Sequence, residues 1–159
     1  MKNSPSGFNT KIKTIELNGK AIAQAFAPMS VTITLNDEID ISRGDVIAKP
    51  NNLPNTEQDV DIMLCWMNQK PLNVNAKFFV KHTTKEVRGV VKEIQYKLDI
   101  NSLQKVEGET QLAMNDIARI KLRTSQPLLF DSYRKNRITG SIILVDEGTF
   151  ETVGAGMIV

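Results

Sequence analysis

The segment from Gln58 to Met67 restricts the fold of this chain more than any other. Apolar residues occupy alternate positions, which is the period of a β-strand with one buried face. The positions between them also become apolar towards the end of the segment, which predicts a strand covered on both faces. The first set is Val60, Ile62, Leu64 and Trp66, and the second set is Met63, Cys65 and Met67.

The composition extends this prediction to the whole chain. Ile, Val and Thr together account for 40 of the 159 residues, against 9 Ala and 12 Leu. Branching at Cβ suits a pleated sheet better than a helix, and no apolar period of 3.6 residues persists over three turns. The sequence therefore predicts an all-β fold. Further strands are predicted at 30–35, 77–82, 84–100, 116–124, 138–145 and 152–159.

Two segments depart from regular strand patterns. The apolar phase changes near Gly89, where we predict a β-bulge or a bend, because glycine within a strand often marks one. Ala21–Ala27 is rich in alanine but short, and Pro28 ends it. We expect a turn or a single helical turn there.

A domain boundary is predicted at Lys49–Asn55, which contains two prolines and three asparagines. These residues resist both a helix and a sheet ladder. The boundary separates residues 1–54 from residues 55–159. The larger part has about six predicted strands, enough to close on itself, whereas the smaller part has three or four.

The residues that most catalytic and metal sites require are scarce. Cys65 and His82 are the only cysteine and histidine, which excludes an intramolecular disulfide and a Cys/His zinc site. The sequence also lacks the P-loop pattern and a glycine-rich dinucleotide fingerprint. We interpret Cys65 as an inert buried thiol and His82 as a structural histidine, and we assign no catalytic, cofactor-binding or metal-ligating residue.

The charges favour a protein partner over nucleic acid. Lys and Arg number 20 and Asp and Glu 18, for a net charge of +2. Arg119, Lys121 and Arg123 share one predicted strand face, which could bind phosphates but carries no aromatic residues for stacking on bases. A surface for a protein partner is the preferred interpretation. No apolar run is long enough to span a membrane and no signal peptide is evident, so we expect a cytoplasmic location without membrane contact.

Longer motifs carry a resemblance to a known family. Ile41–Ile47, with Arg-Gly-Asp at its centre, resembles the end of the second domain of elongation factor Tu-like GTPases. Taken together, several blocks resemble the large GTPase subunits of bacterial sulfate adenylyltransferase (ATP sulfurylase), from about Ser4 to Val159. These blocks are Ala25–Thr32, Ala48–Pro54, Leu64–Met67, Lys81–Arg88, Met114–Ala118 and Phe130–Ser141.

The resemblance implies a parent protein with a GTPase domain followed by two β-barrels. GTP hydrolysis there drives the formation of adenosine 5′-phosphosulfate and pyrophosphate from ATP and sulfate, which the small subunit catalyses. Residues 1–54 would be a truncated barrel like domain 2 of elongation factor Tu, with Ser4–Gly7 matching a loop midway through it. Residues 55–159 would be a complete barrel like domain 3. We therefore expect a fragment or a natural truncation, with GTP and magnesium held by the missing domain.

Polar residues at predicted strand ends are the candidates for partner contacts. Barrel loops meet neighbouring domains, and arginine is favoured at interfaces. The expected partners are the parent's own GTPase domain and the catalytic small subunit, and the alternative is an RNA-binding barrel pair of a translation-factor-like protein. The candidates are His82, Thr84, Arg88, Arg134 and Arg137.

Overall fold

The computed structural model describes residues 2–4 and 7–159, and within them the chain forms β-strands and no helix. The prediction of an all-β fold is confirmed. Pro5 and Ser6, in the predicted loop at Ser4–Gly7, lie outside the described residues. The strands are β1 (Lys2–Ser4), β2 (Ile12–Leu17), β3 (Lys20–Ala21), β4 (Thr32–Leu35), β5 (Val46–Ala48), β6 (Asn55–Trp66), β7 (Leu72–Asn73), β8 (Lys77–His82), β9 (Lys85–Leu98), β10 (Lys105–Val106), β11 (Gln111–Leu112), β12 (Ile117–Phe130), β13 (Ser141–Val145) and β14 (Thr152–Ile158).

The chain divides into two compact units, residues 1–53 and 54–159. In the first unit, β1 pairs with β5, and β2 lies between β3 and β4. The hydroxyl groups of Thr14 and Thr34 hydrogen-bond across β2 and β4 at 2.6 Å. Ala21 ends β3 and no helix follows, so the segment up to Ala27 is irregular. Among the described residues of this unit, no hydrophobic side chain is buried.

The second unit is a closed six-stranded antiparallel barrel. Its strands follow the order β9, β12, β6, β14, β13 and β8. The last strand, β8, pairs with the first, β9, which closes the sheet. Closure leaves none of these six strands with a long unpaired edge, which removes the backbone groups that would recruit other chains. The predicted closed barrel is confirmed.

The alternating residues of β6 fill the barrel as predicted. Val60, Ile62, Leu64 and Trp66 are at most 3% exposed. The Trp66 ring meets Phe78 edge to face at a centroid distance of 5.6 Å, and its indole N–H donates to the carbonyl of Lys70. The ring therefore gives the core both apolar area and a satisfied polar group.

The opposite face of β6 is less covered than the sequence predicted. Met67 is 44% exposed, and Cys65 is half-buried rather than buried. The outward side of a barrel strand packs only against its neighbours on the same wall, which accounts for the partial exposure of this thiol.

The phase change in β9 arises from two bulges beyond Gly89, so the predicted bulge position is wrong. Lys92 and Gln95 are the extra residues, each inserted between successive pairs with β12. Gly89 itself pairs regularly with Phe78 and Thr124. It is glycine because a Cβ there would lie 2.5 Å from Cγ2 of Val80 inside the barrel.

Two other strand boundaries differ from the predictions. β12 does not end at Thr124 but continues to Phe130 after an irregularity between Arg123 and Leu128. The buried Thr124 hydroxyl shares its single proton between the carbonyls of Gln58 and Gln126 there, at 3.1 and 2.8 Å. This irregularity also accommodates Pro127, which has no N–H for the ladder. The strand predicted from residue 138 begins at Ser141.

Replacing Gly89 with alanine should destabilise the barrel by about 1–3 kcal/mol, the usual cost of overpacking a core. The added methyl group would overlap Val80, whose side chain is fully buried. Urea unfolding of the two single variants and the Gly89→Ala/Val80→Ala double variant measures the coupling. The double variant should be more stable than the sum of the single effects predicts, by about 1 kcal/mol. Strict additivity would contradict the contact.

Candidate functional site

Four of the five candidate contact residues belong to two adjoining segments at one end of the barrel. His82 ends β8 and Thr84 lies in the turn that follows, while Arg134 and Arg137 lie in the loop 131–140. The segments meet where Nε2 of His82 lies 2.7 Å from the carbonyl oxygen of Thr139. We call the β8–β9 turn and the loop 131–140 the barrel-end surface.

The loop 131–140 is held tightly against the barrel. The N–H of Tyr133 donates to the carbonyl of Ile158, and the N–H of Ile158 donates to the carbonyl of Gly140, so β14 is bonded to both ends of the loop. A Cβ on Gly140 would overlap the backbone of Tyr133, which only glycine avoids. Asp131 accepts hydrogen bonds from Lys135 and Thr139 within the loop.

The side chains that this loop presents to solvent are basic and apolar. Arg134 and Arg137 are exposed, and the Arg137 guanidinium lies 6.0 Å from the ring centroid of Tyr133. Ile138 is 78% exposed. Sequence reasoning assigned Ile138 to a strand, although the polar Asn136 and Arg137 before it are a signal for a loop.

His82 supports the barrel-end surface from beneath. It is 2% exposed, so it cannot contact a partner directly. It can affect a partner only by holding the loop 131–140 in place through its hydrogen bond with Thr139. Burial disfavours the imidazolium and lowers the pKa of His82, and nearby Lys85 acts in the same direction, while the bond to Thr139 opposes both. The neutral ring then donates its Nε2–H to the Thr139 carbonyl.

Arg88 lies apart from the other candidates, on the outer wall of the barrel. Its Nε is 3.3 Å from Oε1 of Glu147, and its guanidinium lies over the ring of Phe79 at 5.9 Å. Phe79 in turn stacks on Phe150 with a centroid separation of 6.1 Å. The pairing of Phe79 with Arg88 across β8 and β9 positions this cluster.

The basic face of β12 is largely neutralised by the acidic face of β6. Asp61 accepts a 2.9 Å hydrogen bond from Arg119, and Asp59 pairs with Arg123 at 3.5 Å. Burial opposes ionisation of Asp61, but its hydrogen bonds with Arg119 and Gln95 outweigh burial and lower its pKa. A phosphate backbone along β12 would compete with these carboxylates.

Across residues 2–4 and 7–159, no group of three or more His, Cys, Asp or Glu side chains could hold a metal ion. In the same part of the chain, no helix is long and apolar enough to cross a bilayer.

Lowering the pH from 7.5 towards 5.5 should reduce the free energy of unfolding. The unfolded chain binds a proton near pH 6.5, whereas folded His82 resists protonation because its pKa is lowered. Below that pH the unfolded state therefore gains protons that the folded state lacks. The His82→Gln variant keeps a donor for Thr139 but cannot titrate, and it should lose most of this slope in urea unfolding. An unchanged slope in the variant would contradict the assignment.

Comparison with known proteins identifies relatives over nearly the whole chain. A "Bifunctional enzyme CysN/CysC" of Rhodopirellula baltica is 46% identical over 97% of this chain. A "Sulfate adenylyltransferase subunit 1" of Sulfurovum sp. is 44% identical over 98% of it. The chain spans 24% and 34% of the length of these two relatives.

Solved structures share the fold at much lower identity. Sup35 complexed with GDP superposes with a TM-score of 0.87 over 99% of this chain and 39% of its own, at 15% identity. The family described as "GTP-eEF1A C-terminal domain-like" matches residues 59–159, which include nearly all of the closed barrel. That match covers well over half of the sequence, and the chain belongs to this family.

Proposed function

We propose that this chain is the C-terminal, non-catalytic part of the GTPase subunit of a sulfate adenylyltransferase. The observation that carries the proposal is the identity of 40–46% with proteins named sulfate adenylyltransferase subunit 1 or CysN/CysC, over 97–98% of this chain. The subunit couples GTP hydrolysis to the formation of adenosine 5′-phosphosulfate and pyrophosphate from ATP and sulfate. GTP and magnesium bind to the subunit's GTPase domain.

In this proposal the barrel acts by binding other proteins. The barrel-end surface offers Arg134, Arg137 and the exposed Ile138 on a loop bonded to β14 and His82. Arginine and apolar side chains on a preorganised loop are the usual anchors of a protein interface. We assign this surface to the catalytic small subunit or to the parent's own GTPase domain. The coupling to GTP requires that these contacts differ between the GTP and GDP states.

The charge distribution favours this proposal over RNA binding. Arg119 is already held by Asp61 on β6 at 2.9 Å, with both side chains less than a third exposed, so the phosphates of RNA would have to displace this carboxylate. Neutralisation of phosphates by unpaired cations is the main source of affinity for nucleic acid. The barrel-end surface instead combines cations with apolar area, as protein interfaces do.

The chain should bind the catalytic small subunit in isothermal titration calorimetry, and Arg137→Ala should weaken the complex. Truncating a buried interface arginine costs about 2 kcal/mol, or roughly thirtyfold in affinity. The matched control is Lys105→Ala, an exposed cation on β10, which pairs with the far end of β9. Binding of RNA that weakens steeply with salt, in the absence of any complex with the small subunit, would support the alternative function.

The chain alone should neither hydrolyse GTP nor form adenosine 5′-phosphosulfate. Phosphoryl transfer needs positioned phosphates, a metal ion and an oriented water molecule, and the sequence carries no P-loop pattern to hold them. Release of phosphate from GTP by a homogeneous preparation, abolished by a substitution in this chain, would overturn the non-catalytic assignment.

A further inference from the structure

A groove crosses the outer wall of the barrel over β8, β9 and β12. Val90 lies directly opposite Lys77 on one side and Arg123 on the other, so the three side chains form a row across the sheet. Opposite residues have Cβ atoms about 5 Å apart, so the Cβ atoms of Lys77 and Arg123 are about 10 Å apart. Arg88, two residues before Val90 on the same face, adds a third cation. The groove encloses about 420 Å³.

The groove combines positive charge with an unused acceptor. Lys77 has no ion-pair partner within the described residues, while Arg123 is 55% exposed beside Asp59 and Arg88 is 72% exposed beside Glu147. Exposed pairs of this kind are weak and can exchange partners. Oε1 of Glu147 is buried and accepts no hydrogen bond from the described residues, although it lies 3.3 Å from Nε of Arg88.

An exposed aromatic ring stands beside the groove. Phe150 is 72% exposed and has a φ of 60°, a backbone conformation that bulky residues rarely adopt. The turn imposes it: Oδ1 of Asp146 accepts N–H groups from Gly148 and Thr149, and the Asp146 carbonyl accepts the N–H of Phe150. Strain of this kind persists where the surroundings over-determine it, and it clusters at functional sites.

We propose that this groove, together with Phe150, is a docking surface for an acidic protein segment. Carboxylates of the segment pair with Lys77, Arg88 and Arg123, and an apolar side chain packs on Val90 and Phe150. Aromatic and arginine anchors dominate binding at such interfaces. The surface is separate from the barrel-end surface, so it stands independently of the proposed function.

The carboxylates of the groove favour a peptide over a nucleic acid or a lipid surface. Glu147 and Asp59 flank the cations and would repel a continuous row of phosphates. A peptide carries separate acidic side chains and also apolar side chains, which match the separated cations and the exposed ring of Phe150.

The test is a titration of the ¹⁵N-labelled chain with a short synthetic peptide rich in Asp and Glu around one central Leu. Amide shifts should appear at Lys77, Arg88, Val90 and Arg123 and in the turn that carries Phe150. Arg88→Glu should weaken binding at least about tenfold, and Phe150→Ala about fivefold. The absence of groove shifts at millimolar peptide would overturn the proposal.

The matched control is Lys105→Glu, which reverses a cation that also lies over an aromatic ring, that of Tyr96 at 4.7 Å. The affinity of this variant for the peptide should stay within about twofold of the wild-type affinity. An effect equal to that of Arg88→Glu would mean that net charge alone explains the binding, and it would overturn the proposal. Single-stranded RNA and anionic vesicles serve as further probes. Tighter groove binding by either, with the same loss in Arg88→Glu, would also overturn the peptide assignment.

Discussion

The pairing of β9 with two partners is the interaction on which the barrel depends. β9 bonds to β12 along one edge and to β8 along the other, and the second pairing closes the sheet. Closure places the inward residues of all six strands in one core. The β8–β9 seam requires Gly89, since Val80 occupies the space that a larger residue would need.

Closure also determines what the surface can do. Because every barrel strand has two partners, the loops leave from fixed points, and the loop 131–140 is bonded to β14 and to His82. The same closure aligns side chains on the outer wall across β8, β9 and β12. A rigid wall and a rigid loop hold arginine side chains ready for binding, which lowers the ordering cost of an interface. These features suit a barrel that acts through protein contacts.

Strict alternation made β6 predictable, because Val60, Ile62, Leu64 and Trp66 give it an apolar face whatever its neighbours are. The phase change in β9 predicts a bulge, but the positions at Lys92 and Gln95 could not be derived from the sequence, since a bulge is defined against the partner strand. The ion pairs between β6 and β12 and the row of Lys77, Val90 and Arg123 could not be predicted for the same reason. They depend on which residues of neighbouring strands lie opposite each other. His82 and Thr84 were candidates because they lie between two predicted strands, and Arg134 and Arg137 because they precede the strand predicted from residue 138. Only the structure shows that the two segments meet.

Hydrogen–deuterium exchange at the β8–β9 seam tests the closed barrel most directly. Amide protection reports the free energy of opening each part of a structure. If the barrel is closed, the bonded amides between β8 and β9 should exchange as slowly as those between β6 and β12, in the same cooperative unit. Exchange at the seam more than about a hundredfold faster, with the β6–β12 pairing still protected, would mean an open sheet and would contradict the account.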